Sequence, residues 1–179
     1  IAKLKRILGL KVPEQSINYC TFTTGQFTKC KDIPNDNRPV VFLTHTEHHS
    51  NHTSWFETLA EVVVLEPNAD LTVNPDALRN EIIKYKDRPL LIGSFSASSN
   101  VTGYYPPYHE LARIMHENNG YCFIDFAASA PYTKIDMHPD DKLEQLDGIF
   151  FSPHKFLGGP GSAGALVFSK QLYKNNIPD

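Results

Sequence analysis

The chain has 179 residues, 41% of them hydrophobic and 21% charged, which is enough apolar content for one domain with a sizeable core and too much for a chain disordered throughout. Its 17 Lys and Arg against 20 Asp and Glu give a formal net charge of -3, so neither nucleic acid nor an anionic membrane is expected as a partner, while a local site for a small anion stays open. No apolar run approaches the roughly 18 residues of a membrane span, and Cys20, Cys30 and Cys122 fit neither a disulfide framework nor a paired CxxC site, which points to reduced thiols in an intracellular, cytoplasmic compartment.

The chain opens on IAKLKRILGLKV, with Ile1, Leu4 and Leu8 at helical spacing and no capping residue before them. This pattern predicts a helix cut at its start, with Lys3, Lys5, Arg6 and Lys11 on a solvated face. The end, YKNNIPD, is equally abrupt, so a piece of a longer protein is expected. Residues 13–39 are polar and turn-rich and predict a loop or excursion, with a short hairpin around Thr24-Gly25.

Beyond Pro39 the pattern becomes regular. Apolar runs at Val40–Leu43, Val62–Leu65, Leu90–Phe95, Tyr121–Phe126, Gly148–Phe151 and Ala165–Phe168 predict strands, and their near-continuous hydrophobicity predicts burial on both faces. Helices are expected near Asn51–Ala60, Asn74–Tyr85 and Pro107–Asn118, the last stopped by Asn119-Gly120. Strands alternating with helices mean an α/β class: a mostly parallel sheet covered by helices, with any ligand outside the carboxyl ends of the strands. Neither an internal repeat nor a second domain is visible.

Polar residues gather just after these apolar runs. The first strand leads into Thr44, His45, Thr46, Glu47, His48, His49, Ser50 and Asn51, and the third into Ser96, Ser98, Ser99 and Asn100. The fourth carries Asp125 and the fifth ends in Ser152, His154 and Lys155, so four loops would face one crevice. A lysine at a sheet rim gains a nucleophilic amine where partial desolvation lowers its pKa. The glycines at 158, 159, 161 and 164 let backbone approach a ligand closely. Asp125, set among apolar neighbours, needs a partner: backbone amides of the next turn, or the cation of a protonated ring nitrogen.

Other readings compete. His45, His48, His49 and His52 would share a helix face and could bind zinc, but no thiolate or paired carboxylate supports a metal set, and one histidine stacked on a flat cofactor fits the context better. GGPGSAG follows its lysine and precedes a strand, the reverse of a nucleotide phosphate loop. Cys122 falls in a buried strand and Cys30 in a polar loop with no positioned base, so neither is expected to be a nucleophile.

Taken together, TEHHSN at 46–51, SSNVTG at 98–103, FIDFAASAP at 123–131 and SPHKFLGGPGSAG at 152–164 resemble the class V aminotransferase family of pyridoxal phosphate enzymes, with cysteine desulfurases and selenocysteine lyases as the nearest subgroup. The resemblance runs from Val40 to Lys170 in order. It implies part of the fold type I large domain, a three-layer α/β/α structure with a mainly seven-stranded sheet, in a homodimer with sites near the subunit interface. By the same resemblance Lys155 is the Schiff-base lysine that holds the pyridoxal 5'-phosphate aldehyde and shuttles a proton at the substrate Cα. Asp125 pairs with the pyridinium nitrogen, His48 stacks on the ring and serves proton transfer, Asn100 bonds near the ring hydroxyl, and Ser152 and His154 bind the phosphate.

The sequence departs from that pattern in places. Desulfurases usually carry Gln three positions after the aspartate, where this chain has Ala128. The Gly/Thr-rich phosphate turn ahead of the first helix and the small C-terminal domain have no counterpart here, and none of the three cysteines matches the catalytic cysteine loop. The implied activity is a cysteine desulfurase-like reaction on an amino acid substrate, with a sulfur acceptor protein as partner. An aminotransferase, a kynureninase-like hydrolase or an epimerase would use the same residues, and a non-catalytic binding module could keep the fold without the chemistry.

Overall fold

In the computed structural model, residues 1–10 and 34–173 are described, together with two short strands at 20–21 and 27–28. The chain starts with α1 (Ala2–Ile7), continues through β1 (Cys20–Thr21) and β2 (Phe27–Thr28), and then alternates. The order is β3 (Val40–Leu43), α2 (His49–Phe56), β4 (Glu61–Val64), α3 (Pro75–Ile82), β5 (Leu91–Ser96), α4 (Tyr108–Glu117) and β6 (Tyr121–Asp125), followed by β7 (Gly148–Phe151) and β8 (Ala165–Phe168).

The main sheet has six strands among the described residues, in the order β4-β3-β5-β6-β7-β8. Its first five strands are parallel, and β8 returns antiparallel to β7, with Gly148 opposite Phe168. The reversal has a local reason. The link from Phe151 to Ala165 holds only a 3-10 turn at Pro153–Lys155 and no crossover helix of the kind that brings a parallel strand back. The expected hairpin is bracketed by β1 and β2, which pair antiparallel with Cys20 opposite Thr28. Thr24-Gly25 itself lies outside the described residues, as do Lys11 and Cys30.

Two apolar layers sandwich the sheet. On one face Val40, Phe42, Phe95 and Ile124 pack with Leu78 and Ile82 of α3 and with Leu111, Ile114 and Met115 of α4. On the other, Val41, Leu43, Ile92 and Phe123 pack with Leu4 of α1 and Trp55 of α2. Every residue of β3 and β5 is buried, as expected of parallel strands covered on both sides. The edge strands differ from the expectation of two-sided burial: β4 and β8 are only partly covered, and Val64 and Val167 are 40% and 47% exposed. An edge lacks the second neighbour that completes the cover, and hydrophobicity along the chain does not reveal which strand will be an edge.

The helix boundaries have local causes. Asn74 caps α3 by accepting Asp76 and Ala77 N–H at 3.0 and 3.3 Å, with Pro75 in the first turn. α4 stops where Asn119 takes a left-handed φ of 57° and Gly120 N–H reaches back to the Met115 carbonyl at 2.8 Å. α2 starts two residues earlier than expected because the His48 imidazole caps it, Nδ1 accepting Ser50 N–H at 3.2 Å. It ends early because Thr58 Oγ1 donates to the Trp55 carbonyl at 2.6 Å and accepts Ala60 N–H, a local turn that competes with the helix. In α1, Lys3 and Arg6 are exposed as anticipated, but Lys5 is buried. Its Nζ donates to the Ser54 carbonyl at 2.8 Å and lies 3.7 Å from Glu57, so this cation docks α1 on α2 instead of facing water. No helix among the described residues is long and apolar enough to cross a membrane.

Candidate active site

The strand order reverses direction between β3 and β5: the chain leaves β3 toward β4 on one side and then crosses to β5 on the other. In an open parallel sheet such a switch point opens a crevice beyond the carboxyl ends of the strands. A cavity of about 310 Å³ lies at those strand ends, and it is lined by His48, Asn100, Asp125, Ser152, His154 and Lys155. All six side chains singled out from the sequence therefore share one cavity. Ser50, Ser96, Ser98, Ala127 and Ala128 complete its wall. A larger cleft of about 960 Å³ adjoins it past Asp125, between α1 and strands β7 and β8.

Asp125 ends β6 and is 7% exposed. Its Oδ1 accepts Ala127 N–H at 2.8 Å, so the carboxylate does bond the next turn. That single bond does not offset its burial, and among the described residues no cation comes within ion-pair distance of it. Burial pushes its carboxyl pKa up, opposed by the Ala127 N–H and by the more distant charges of Lys155 and His48.

Lys155 closes the 3-10 turn Pro153–Lys155, its N–H bonded to the Ser152 carbonyl at 3.0 Å. The turn folds the chain back over the end of β7 and leaves Lys155 and His154 exposed at the rim. Lys155 is thus exposed at the mouth of the cavity whose wall it shares with Asp125, because the turn carries it beyond the strand end. In the glycine-rich link that follows, a Cβ on Gly159 would stand 2.0 Å from the Pro153 carbonyl oxygen, so no other residue fits without moving the lysine turn. Gly158 and Gly161 have φ values of 79° and 87°.

His48 sits at the start of α2, its ring 4.2 Å from that of His49. Because a backbone N–H can only donate, the Ser50 N–H fixes His48 Nδ1 as an acceptor and leaves Nε2 as the atom that carries or exchanges a proton. His45 lies apart, with Nε2 2.9 Å from the Leu71 carbonyl oxygen. No group of three or more His, Cys, Asp or Glu side chains able to hold a metal ion occurs among the described residues.

Glu47 was visible only as one of the polar residues after β3, yet it is the most heavily bonded group at the site. Oε1 accepts from Ser96 N–H at 2.9 Å and Thr44 Oγ1 at 2.7 Å, and Oε2 accepts from Ser96 Oγ and from Asn51 Nδ2, both at 2.6 Å. Enclosure of the carboxylate raises its pKa, and these four hydrogen bonds oppose the rise. Asn51, fully buried, also accepts from Ser94 Oγ at 2.8 Å and from Trp55 Nε1 at 3.2 Å. The sequence signal for this network is the four-residue spacing of Glu47 and Asn51, which puts both on one side of the turn entering α2.

The donor set suits a flat, phosphorylated pyridine aldehyde: an amine at the rim, a buried carboxylate with no cation beside it, an imidazole, and hydroxyl and imidazole donors next to the lysine. The three layers and strand order are those of the fold type I large domain, and solved structures with this arrangement include several pyridoxal phosphate enzymes. A cysteine desulfurase of Escherichia coli superposes with a TM-score of 0.64 at 24% identity, covering 96% of this chain and 42% of its own. A serine palmitoyltransferase from S. paucimobilis with bound PLP superposes with a TM-score of 0.60 at 18% identity, over 74% of this chain and 33% of its own.

Residues 29–178 match the family Aminotransferase class-V, and the chain belongs to that family. Among curated relatives, a probable cysteine desulfurase of Halobacterium salinarum is 34% identical over 144 residues, 77% of this chain and 32% of the relative. Another, probable cysteine desulfurase 2 of Mycobacterium leprae, is 26% identical over 175 residues, 96% of this chain and 39% of the relative. The chain thus spans about a third of the length of the relatives it matches.

Proposed function

We propose that this chain forms the cofactor-binding core of a pyridoxal 5'-phosphate enzyme that acts on an amino acid, with cysteine desulfuration as the leading reaction. The supporting observation is the buried Asp125 carboxylate, without a cation at ion-pair distance, in the same cavity as Lys155 and His48. Pyridoxal phosphate, when bound, supplies an electron sink for charge that develops at the substrate Cα. In this reading the Lys155 amine holds the cofactor aldehyde and then moves a proton at Cα. Asp125 keeps the ring nitrogen protonated, offsetting its own burial. His48 stacks on the ring and exchanges protons through Nε2, Asn100 bonds near the ring hydroxyl, and Ser152 and His154 hold the phosphate.

Desulfuration is favoured by the names of the relatives and opposed by Ala128 at the position where desulfurases usually carry Gln. An aminotransferase, a kynureninase-like hydrolase or an epimerase would draw on the same Lys155, Asp125 and His48. The family resemblance further suggests a homodimer, an intracellular setting and, for a desulfurase, a protein that accepts sulfur.

The test is to add pyridoxal phosphate to the full-length protein, reduce with borohydride and map the adduct by mass spectrometry beside Lys155→Ala. A single adduct on Lys155 that disappears in the variant is expected. Scattered or absent adducts would leave a binding module that keeps only the fold. With the adduct in hand, sulfide release from cysteine identifies a desulfurase, and keto acid without sulfide excludes one.

A further inference from the structure

Glu47 is joined by the peptide chain to His48 and by two hydrogen bonds to Ser96, from Ser96 N–H at 2.9 Å and Ser96 Oγ at 2.6 Å. Ser96 is the register partner of Asp125 across the β5/β6 ladder. One carboxylate therefore connects the turn that carries His48 to the strand position beside Asp125. Its remaining lone pairs are taken by Thr44 Oγ1 on the near side of the turn and Asn51 Nδ2 in the first turn of α2. A carboxylate with four donors drawn from β5, α2 and the end of β3 has one orientation available to it. His48 has no comparable anchor among the described residues: its ring hydrogen-bonds to Ser50 in its own turn, by the N–H at 3.2 Å and Oγ at 2.7 Å, and lies against the His49 ring.

We propose that Glu47 is a positioning residue that acts through His48, holding the turn that carries the imidazole at a fixed offset from Asp125. The inference rests on the pyridoxal phosphate reading for what the imidazole faces, but the hold on His48 is a property of the protein alone. A carboxylate used only for stability would tie down the turn with no consequence for the ring. A positioning carboxylate sets where the stacking surface of the ring stands over the cavity.

Two measurements on the full-length protein test it. In the cofactor-free protein with 15N-labelled histidine, His48, assigned by comparison with His48→Asn, is expected as a single Nε2–H tautomer. In Glu47→Ala that tautomer, set by Ser50 N–H, should persist while the ring 1H and 15N shifts of His48 move as the turn loosens, and Glu47→Gln, which keeps acceptors for Thr44 and Ser96, should restore most of the wild-type shifts. Pyridoxal phosphate titration then gives a double-mutant cycle. Glu47→Ala and His48→Ala should each weaken binding by about tenfold, the worth of one aromatic contact, and the double variant should bind no more weakly than His48→Ala. Should Glu47→Ala fail to fold, Ser96→Ala, which removes one of the four donors, takes its place in both measurements. Unchanged His48 ring shifts in these variants, or losses that multiply in the double variant, overturn the proposal. The expected ring-shift changes together with wild-type protein that forms no adduct on Lys155 overturn the cofactor reading and leave the hold on His48 standing.

Discussion

The His116 imidazole faces two acceptors, Asp147 Oδ2 at 2.9 Å from Nε2 and the Leu143 carbonyl oxygen at 2.7 Å from Nδ1. Only the imidazolium donates from both nitrogens, so this pair fixes a charged histidine between the end of α4 and the segment that leads into β7. The same Asp147 oxygen accepts Cys122 N–H at 2.7 Å, which extends the tie to β6.

The hydrogen bond to Asp147 holds the His116 pKa above its usual range, with burial opposing and the Leu143 carbonyl assisting. A histidine whose folded-state pKa is raised contributes stability that is complete below its unfolded value of about 6.5 and is lost as pH rises through the folded value. The melting temperature should therefore fall as pH is raised from about 6 into the alkaline range. His116→Gln should show a smaller fall over that range. Thermal melts at a series of pH values decide it, and an unchanged slope in the variant would refute the assignment.

Asn51→Ala should destabilise the fold by about 3 kcal/mol, because it strands Trp55 Nε1 and Ser94 Oγ in a fully buried site and removes a donor from Glu47. Asn51→Asp tests the sign of the electrostatics. It sets a second carboxylate against Glu47 Oε2, now 2.6 Å from the Asn51 amide, so its destabilisation should deepen as pH rises and both groups ionise. Urea unfolding at acid and neutral pH separates the two variants.

Asp125→Asn should pull stability and binding in opposite directions. The folded-state carboxyl pKa is raised chiefly by burial, so the neutral form is the one the fold prefers. Its contribution is present below the unfolded pKa and is lost as pH rises through the folded value. The amide should leave the cofactor-free protein as stable at neutral pH as the wild type, or more so, while pyridoxal phosphate binding weakens by at least about tenfold. A variant that loses stability and binding together would show that Asp125 serves the fold instead of a ligand.

Much of the architecture was legible along the chain because buried parallel strands write themselves as continuous apolar runs. Val40–Leu43, Gly148–Phe151 and Ala165–Phe168 were bounded by proline, glycine or polar residues at both ends and appear with those limits. The boundaries of α2 were less legible, since they depend on a histidine acting as a cap and a threonine hydroxyl ending the helix. The solvated face expected for α1 failed at Lys5, whose partners Ser54 and Glu57 lie some fifty residues away.

By itself the sequence determined the layered α/β class and that these polar residues gather at one end of the sheet, because a parallel sheet directs its loops, and the polar residues they carry, to the carboxyl ends of the strands. Only the tertiary structure decided which strands are edges, that Lys155 stands exposed at the cavity rim, and that Glu47 and Ser96 meet beside Asp125. Those outcomes depend on strand order and on contacts across the β3/β5 switch. They join residues dozens of positions apart, through interactions that leave no periodic trace along the chain.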